Sequence, residues 1–283
     1  MMRKYLLNLI FIICTVFILQ GCETLKSLGI GQSSSDDKEY ANWDAEKFRT
    51  EAKKAMEAEN YPKAIELYEK LESRYPFGKS AAQTQLDIAY AYYKNNEPEA
   101  AIAAAERFIK IHPRNPSVDY AYYLKGLVNY NRGIGFIERF LPTDASQRDP
   151  GNALDAYNNF AELIRRFPDS QYVEDSKQRM LYLRNNLAMF EVHVARYYMQ
   201  REAYIAAVNR ASRVVEKFQR TPAVPHALLI MEDAYKKLGL NDLASDTARV
   251  FAQNYPDGVP PEVERQDKTG VLFAIWNFIG FDR

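Results

Sequence analysis

The chain has 283 residues, 47% hydrophobic and 26% charged, and its 37 Lys+Arg balance 37 Asp+Glu. No global field would therefore draw it to nucleic acid or to anionic lipid, and the length suits one large domain or two. Two cysteines, Cys14 and Cys22, exclude a disulfide framework, and His112, His193 and His226 form no metal-spaced motif.

Met1 to Lys4 is short and basic, and Tyr5 to Leu19 is apolar except for Asn8 and Thr15. This run is too short for a comfortable membrane span and has the layout of a secretory signal over residues 1–21. It closes on Leu19-Gln20-Gly21-Cys22, which resembles a bacterial lipobox and makes Cys22 the expected site of acylation. Removing the signal takes away Cys14, Arg3 and Lys4, leaving 35 basic against 37 acidic residues, a net −2. Each buried acyl methylene contributes about 0.8 kcal/mol, so two or more chains on Cys22 would hold the protein to a membrane stably. Glu23 after the Cys, where an Asp would favour retention at the inner membrane, points by analogy with Gram-negative lipoproteins to the outer membrane. Residues 22–42, with GQSSSDDKE inside, are poor in core residues and read as a lipid anchor and flexible tether.

From Trp43 a period takes over. Pro76, Pro113, Pro168, Gln219 and Pro256 each stand 12 residues after an alanine: Ala64, Ala101, Ala156, Ala207 and Ala244. Twelve further back stand Ala52, Ala89 and Ala195, with Tyr92 and Tyr198 three residues after the last two. Small residues at a close helix crossing, an aromatic beside them and a helix-ending Pro match the tetratricopeptide register. The expected fold is all-α, with five stacked helix pairs forming a superhelical solenoid. The units are Trp43 to Pro76, Ser80 to Pro113, Ser117 to Pro168, Tyr172 to Gln219 and Ala223 to Pro256.

Two units depart from the period. In the third, Gly126 takes the small-residue place and stands 30 rather than 12 before Ala156, so about 18 residues, roughly 133–150, form a loop insertion. In the fourth, Tyr172 to Gln200 lacks Pro and Gly and carries an apolar stripe of Met180, Leu183, Leu187, Phe190, Val194 and Tyr197. That predicts one elongated helix of about 43 Å, able to link repeats 1–3 (43–168) rigidly to repeats 4–5 (169–256). The tail 257–283 is apolar over Val271 to Ile279 except for Asn277 and is too short to span a bilayer as a helix. It reads either as a cap on the last repeat, which a solenoid requires, or as a segment that docks on a partner or membrane interface.

Catalytic signatures are missing: there is no HExxH, G-x-S-x-G, P-loop or dinucleotide fingerprint, and Glu191 and His193 lie two apart on a helix, facing different ways. Neither cofactor nor metal is expected, and an enzyme is disfavoured.

Several stretches carry a more specific signal. They are Arg74-Tyr75-Pro76-Phe77-Gly78, Ala89 to Lys94, Asp119-Tyr120 with Gly126-Leu127, Asp144-Ala145-Ser146-Gln147-Arg148-Asp149-Pro150, Ser170-Gln171-Tyr172, and Val194 to Tyr198 continuing to Val208-Asn209-Arg210. In these the chain resembles the BamD family of outer-membrane lipoproteins over roughly residues 22–256. The resemblance implies a scaffold of the β-barrel assembly complex. Its partners would be BamA, accessory lipoproteins and unfolded outer-membrane proteins, with the membrane reached through the N-terminal lipid. It places substrate at Tyr75, Phe77 and Gly78, and a BamA contact at Arg210 and at Asp144, Ser146, Arg148 and Asp149. Whether the insert faces BamA or substrate stays open. A basic residue that some members place in the first turn falls at Pro62 here, with Lys63 adjacent. A different reading is a repeat lipoprotein coordinating peptidoglycan synthesis or division.

Overall fold

In the computed structural model, residues 40–78, 80–132, 146 and 149–259 are described. The signal segment, Cys22, most of the tether, Asp144, Arg148 and the tail from 260 lie outside them.

Among the described residues the chain is entirely helical outside its turns. The five pairs are α1 Ala45–Glu57 with α2 Tyr61–Arg74, α3 Ala81–Lys94 with α4 Pro98–Ile111, α5 Val118–Asn131 with α6 Pro150–Arg166, α7 Val173–Gln200 with α8 Tyr204–Lys217, and α9 Ala223–Lys237 with α10 Asn241–Asn254. Each helix packs on its sequence neighbours, and first helices also touch one another, α3 against α5 and α7 against α9. That order is a solenoid of stacked helix pairs.

The turn inside a pair is built the same way four times. The first helix ends on a residue with positive φ: Glu59 (57°), Asn96 (61°), Glu202 (57°) or Gly239 (73°). The next N–H bonds five residues back, as from Asn60 to the Ala55 carbonyl (2.8 Å) and from Ala203 to Tyr198 (3.0 Å). This Schellman-type closure satisfies carbonyls that the helix end leaves free. The first three second helices then start on caps or prolines: Asn60 accepts from the Lys63 N–H (3.3 Å), Asp149 from Gly151 (3.0 Å), and Pro62, Pro98 and Pro150 sit in first turns.

The alanine register is the packing register. Ala52, Ala64, Ala89, Ala101, Ala156, Ala195, Ala207 and Ala244 are all buried, where paired helices cross. Gly126 holds the same place in α5, and a Cβ there would come 2.4 Å from the Phe160 ring of α6. The third pair thus packs in register even though its two helices are separated by the insertion.

The long helix is present, 28 residues or about 42 Å. Its buried face differs in part from the expected stripe. Leu183 is buried, but the close contacts beyond it are Ala188, Val192 and Ala195, and Tyr197 is exposed. The helix changes partners along its length. Leu183 belongs to the cluster with Ala156 and Phe160 of α6, whereas Ala188, Val192 and Ala195 join Ala211, Val214, Ala223 and Ala227 of α8 and α9. A helix covered on successive sides by different neighbours does not keep a single stripe.

Candidate functional site

Every second helix ends in one corner geometry. An N–H two residues past the proline position bonds back to the carbonyl three residues earlier: Gly78 to Tyr75 (3.2 Å), Asn115 to His112 (3.0 Å), Ser170 to Phe167 (3.1 Å), Thr221 to Phe218 (3.3 Å), Gly258 to Tyr255 (3.0 Å). The first corner differs from the rest in its side chains. Where Arg114, Asp169, Arg220 and Asp257 stand in the other four, it carries Phe77, which is 98% exposed. Where Asn115, Ser170 and Thr221 use their side chains in local hydrogen bonds, it carries Gly78, as the last corner carries Gly258. A Cβ at Gly78 would meet nothing closer than the Tyr75 carbonyl at 3.5 Å, so packing does not require glycine there.

Tyr75 has a different role from its two neighbours. Its ring packs on the N-terminal core, and its hydroxyl donates to the Trp43 carbonyl (3.0 Å). Arg74 donates to the Tyr40 carbonyl (2.6 Å) and covers the Phe48 ring. Together they clamp the entry segment, where Tyr40, Trp43 and Phe48 form an aromatic cluster with ring centroids 4.9–5.8 Å apart. Lys63 bonds Tyr40 and Glu66, and the Tyr40 hydroxyl is the main cause of its raised pKa. The basic group near the first turn is therefore engaged by partners within the chain, while its side chain stays partly exposed. The corner thus presents Phe77 and Gly78 outward on a platform that Tyr75 and Arg74 fasten down.

A tyrosine-rich surface runs along α3, α5 and the start of α7. Tyr90 and Tyr93 lie 6.1 Å apart, Tyr123 stacks on Tyr172 at 4.5 Å, and Tyr120 leans on Tyr172 at 5.6 Å. Asn131 donates to the Tyr93 hydroxyl (2.7 Å), and the Tyr123 hydroxyl donates to Asp175 (2.7 Å), which also accepts from Arg179 (2.6 Å). Burial works against ionisation of Asp175, but these two donors outweigh it and hold its pKa below the ordinary range. The heavy tyrosine count is visible in the sequence; which rings share a face is not. Asp87 of α3 is enclosed nearby, with Oδ1 bonded to Gln83 and Oδ2 buried without a partner, and burial pushes its pKa up.

Arg210 of α8 bonds Glu191 of α7 (3.1 Å), and Arg213 approaches the same carboxylate (3.4 Å). Glu191 is 8% exposed, so this is a buried carboxylate held between two helices by two guanidinium groups. The bond to Glu191 is the main cause of Arg210's raised pKa. One side of Arg210 is thereby committed within the chain, while about a third of the side chain remains open. Glu191 and His193 do face apart. His193 lies 2.9 Å from the Ser146 hydroxyl. Ser146 is 4% exposed and faces the long helix, and Asp149 caps α6, so both have internal roles. Asp144 and Arg148 are outside the described residues. Sequence reasoning missed Glu191 as a buried group; its signal was an acidic residue in a run of helical apolar positions.

Among the described residues no group of three or more His, Cys, Asp or Glu could hold a metal ion, and no helix is long and apolar enough to cross a membrane.

Helix pairs in one register, stacked in sequence order with an exposed apolar corner at one end, define a helical-repeat protein of the tetratricopeptide class. The sequence profile of a family described as an outer membrane lipoprotein, YfiO, matches residues 42–250. The chain is 46% identical over 226 residues to the outer membrane protein assembly factor BamD of Neisseria gonorrhoeae, spanning 80% of this chain and 85% of that one. It is 37% identical over 205 residues to the factor of the same name from Vibrio cholerae, spanning 72% and 85%. The chain belongs to this family of outer membrane lipoproteins. Among solved structures, the MamA protein aligns over 75% of this chain and 92% of its own at 15% identity and a TM-score of 0.32, too slight a likeness to add to the helix pairs seen directly.

Proposed function

We propose that the chain is a non-enzymatic scaffold for outer-membrane protein assembly, held to the periplasmic face of the outer membrane by lipid on Cys22. Its N-terminal repeats, 43–168, receive C-terminal segments of unfolded outer-membrane proteins. Its C-terminal repeats, 169–256, engage BamA through the open side of Arg210, and accessory lipoproteins join the same complex. The relatives' names as assembly factors support the overall role.

The observation that carries the substrate reading is Phe77, almost fully exposed at a corner position that is charged in the other four repeats. Covering a phenylalanine contributes about 1.5–3 kcal/mol, and an aromatic partner adds about 0.5–1.5. Micromolar affinity needs about 8 kcal/mol, so Phe77 alone gives a weak hold. The tyrosine surface offers further aromatic contacts to an extended peptide rich in aromatics. Several weak contacts suit a client that must be passed on.

The role is tested by crosslinking cells and isolating the tagged chain. Recovery of BamA together with unfolded outer-membrane proteins is the expected result. Recovery of cell-wall enzymes alone, with normal barrel insertion on depletion, would overturn it.

A further inference from the structure

Among the described residues, no first helix follows the last second helix, α10, to cover it. In the four earlier repeats the residues four and seven positions after the register alanine are buried, as with Tyr68 and Leu71 or Ala211 and Val214. In α10 the same positions, Ala248 and Phe251, are only partly buried. Beside them stand Leu240, Leu243 and Val250, exposed by 45%, 46% and 40%. These last three break the pattern of the chain. The place of Val250 is held by Lys70, Arg107, Glu162 and Arg213 in the other second helices. No other second helix has an apolar residue larger than alanine at the places of Leu240 or Leu243. At helical spacing they form one apolar stripe along the end of the solenoid, where solvated residues would stand if nothing covered it.

We propose that this stripe is covered by the chain's own segment Val271 to Ile279. That segment is uncharged and apolar except for Asn277. Residues 260–270 between it and the described chain can extend to roughly 36 Å, whereas α10 is about 21 Å long, so the segment can return along the helix. The family profile stops at residue 250, so the segment lies beyond the part of the chain that matches the profile. Stripe and segment thus supply one another with the apolar surface each lacks, and the solenoid gains its terminal cap.

Trp276 reports on the segment. It is read in the full mature chain carrying Cys22→Ser, in buffer, as the difference from the same chain with Trp276→Phe. Blue-shifted emission, weak acrylamide quenching independent of protein concentration, and release of both by Leu243→Asp with Val250→Asp are expected. Those two positions are exposed on α10, so the variant leaves the helix pairs folded, which far-UV circular dichroism checks. The proposal is overturned if Trp276 is open to quencher in buffer and shielded only by added phosphatidylethanolamine–phosphatidylglycerol vesicles, or only at rising protein concentration. It is equally overturned if Trp276 is shielded but indifferent to the double substitution.

Discussion

At the scale of single residues, the proposed function assigns Phe77 to client contact, whereas the hydrogen bond of Tyr75 to Trp43 assigns it to architecture within the same corner. Phe77→Ser removes an exposed ring and should change stability by less than about 0.5 kcal/mol while lowering client capture. Tyr75→Phe removes the hydroxyl that bonds the Trp43 carbonyl and should cost about 0.5–1.5 kcal/mol in chemical denaturation with little effect on capture. Arg210→Ala leaves Glu191 with Arg213 alone. It should cost about 1–2 kcal/mol, less than a fully buried pair, because Arg213 stays and Arg210 is partly open. If Arg210 acts only inside the fold, Glu191→Gln will reproduce its assembly defect; a BamA contact predicts that it will not. Asp87 gives a pH signature. Its folded pKa is raised by burial, so the ionised form opposes folding at neutral pH, and that cost disappears as pH falls through the folded value toward the ordinary one near 3.9. Asp87→Asn should therefore raise the unfolding midpoint at neutral pH and lose that advantage near pH 4.

At the scale of elements, the register alanines and the corner prolines were legible because close helix crossings and helix stops leave fixed residue types at fixed spacings. Gly126 could be placed from that spacing alone, and the structure supplies the reason: the Phe160 ring fills the space of a Cβ. Gly126→Ala should destabilise by about 1–3 kcal/mol, although alanine is the better helix former, because the buried ring has to move. Other features were hidden from sequence reading. Glu59, Asn96 and Glu202 take a left-handed conformation with no glycine to announce it, and only the aligned hydrogen bonds reveal their common turn. The buried face of α7 was misjudged beyond Leu183 because its neighbours change along its length. Ser146 and Asp149 stood out in the sequence as part of an unusual motif, but that they bond His193 and Gly151 depends on tertiary placement. The contrast between Phe77 and its charged counterparts was available in the sequence, but only once all five corners were superposed.

At the scale of the whole molecule, four cores run from Tyr40 to Met231; three are joined through Tyr120 and Tyr123, and α7 links the fourth by contributing to two of them. The two ends of the solenoid are thus joined by packed helices without a loose linker. A scaffold of this build can hold a client at one end at a fixed separation from a partner at the other, while a lipid on Cys22 would keep both near the membrane. The central claim is that the first corner receives clients and the other corners do not. It is tested most directly by placing a photocrosslinking residue at position 77, and separately at 114 and 169, during outer-membrane protein synthesis in cells. Adducts with unfolded outer-membrane proteins at position 77, and few or none at 114 and 169, are predicted. Equal adducts at all three corners, or none at 77, would contradict the account.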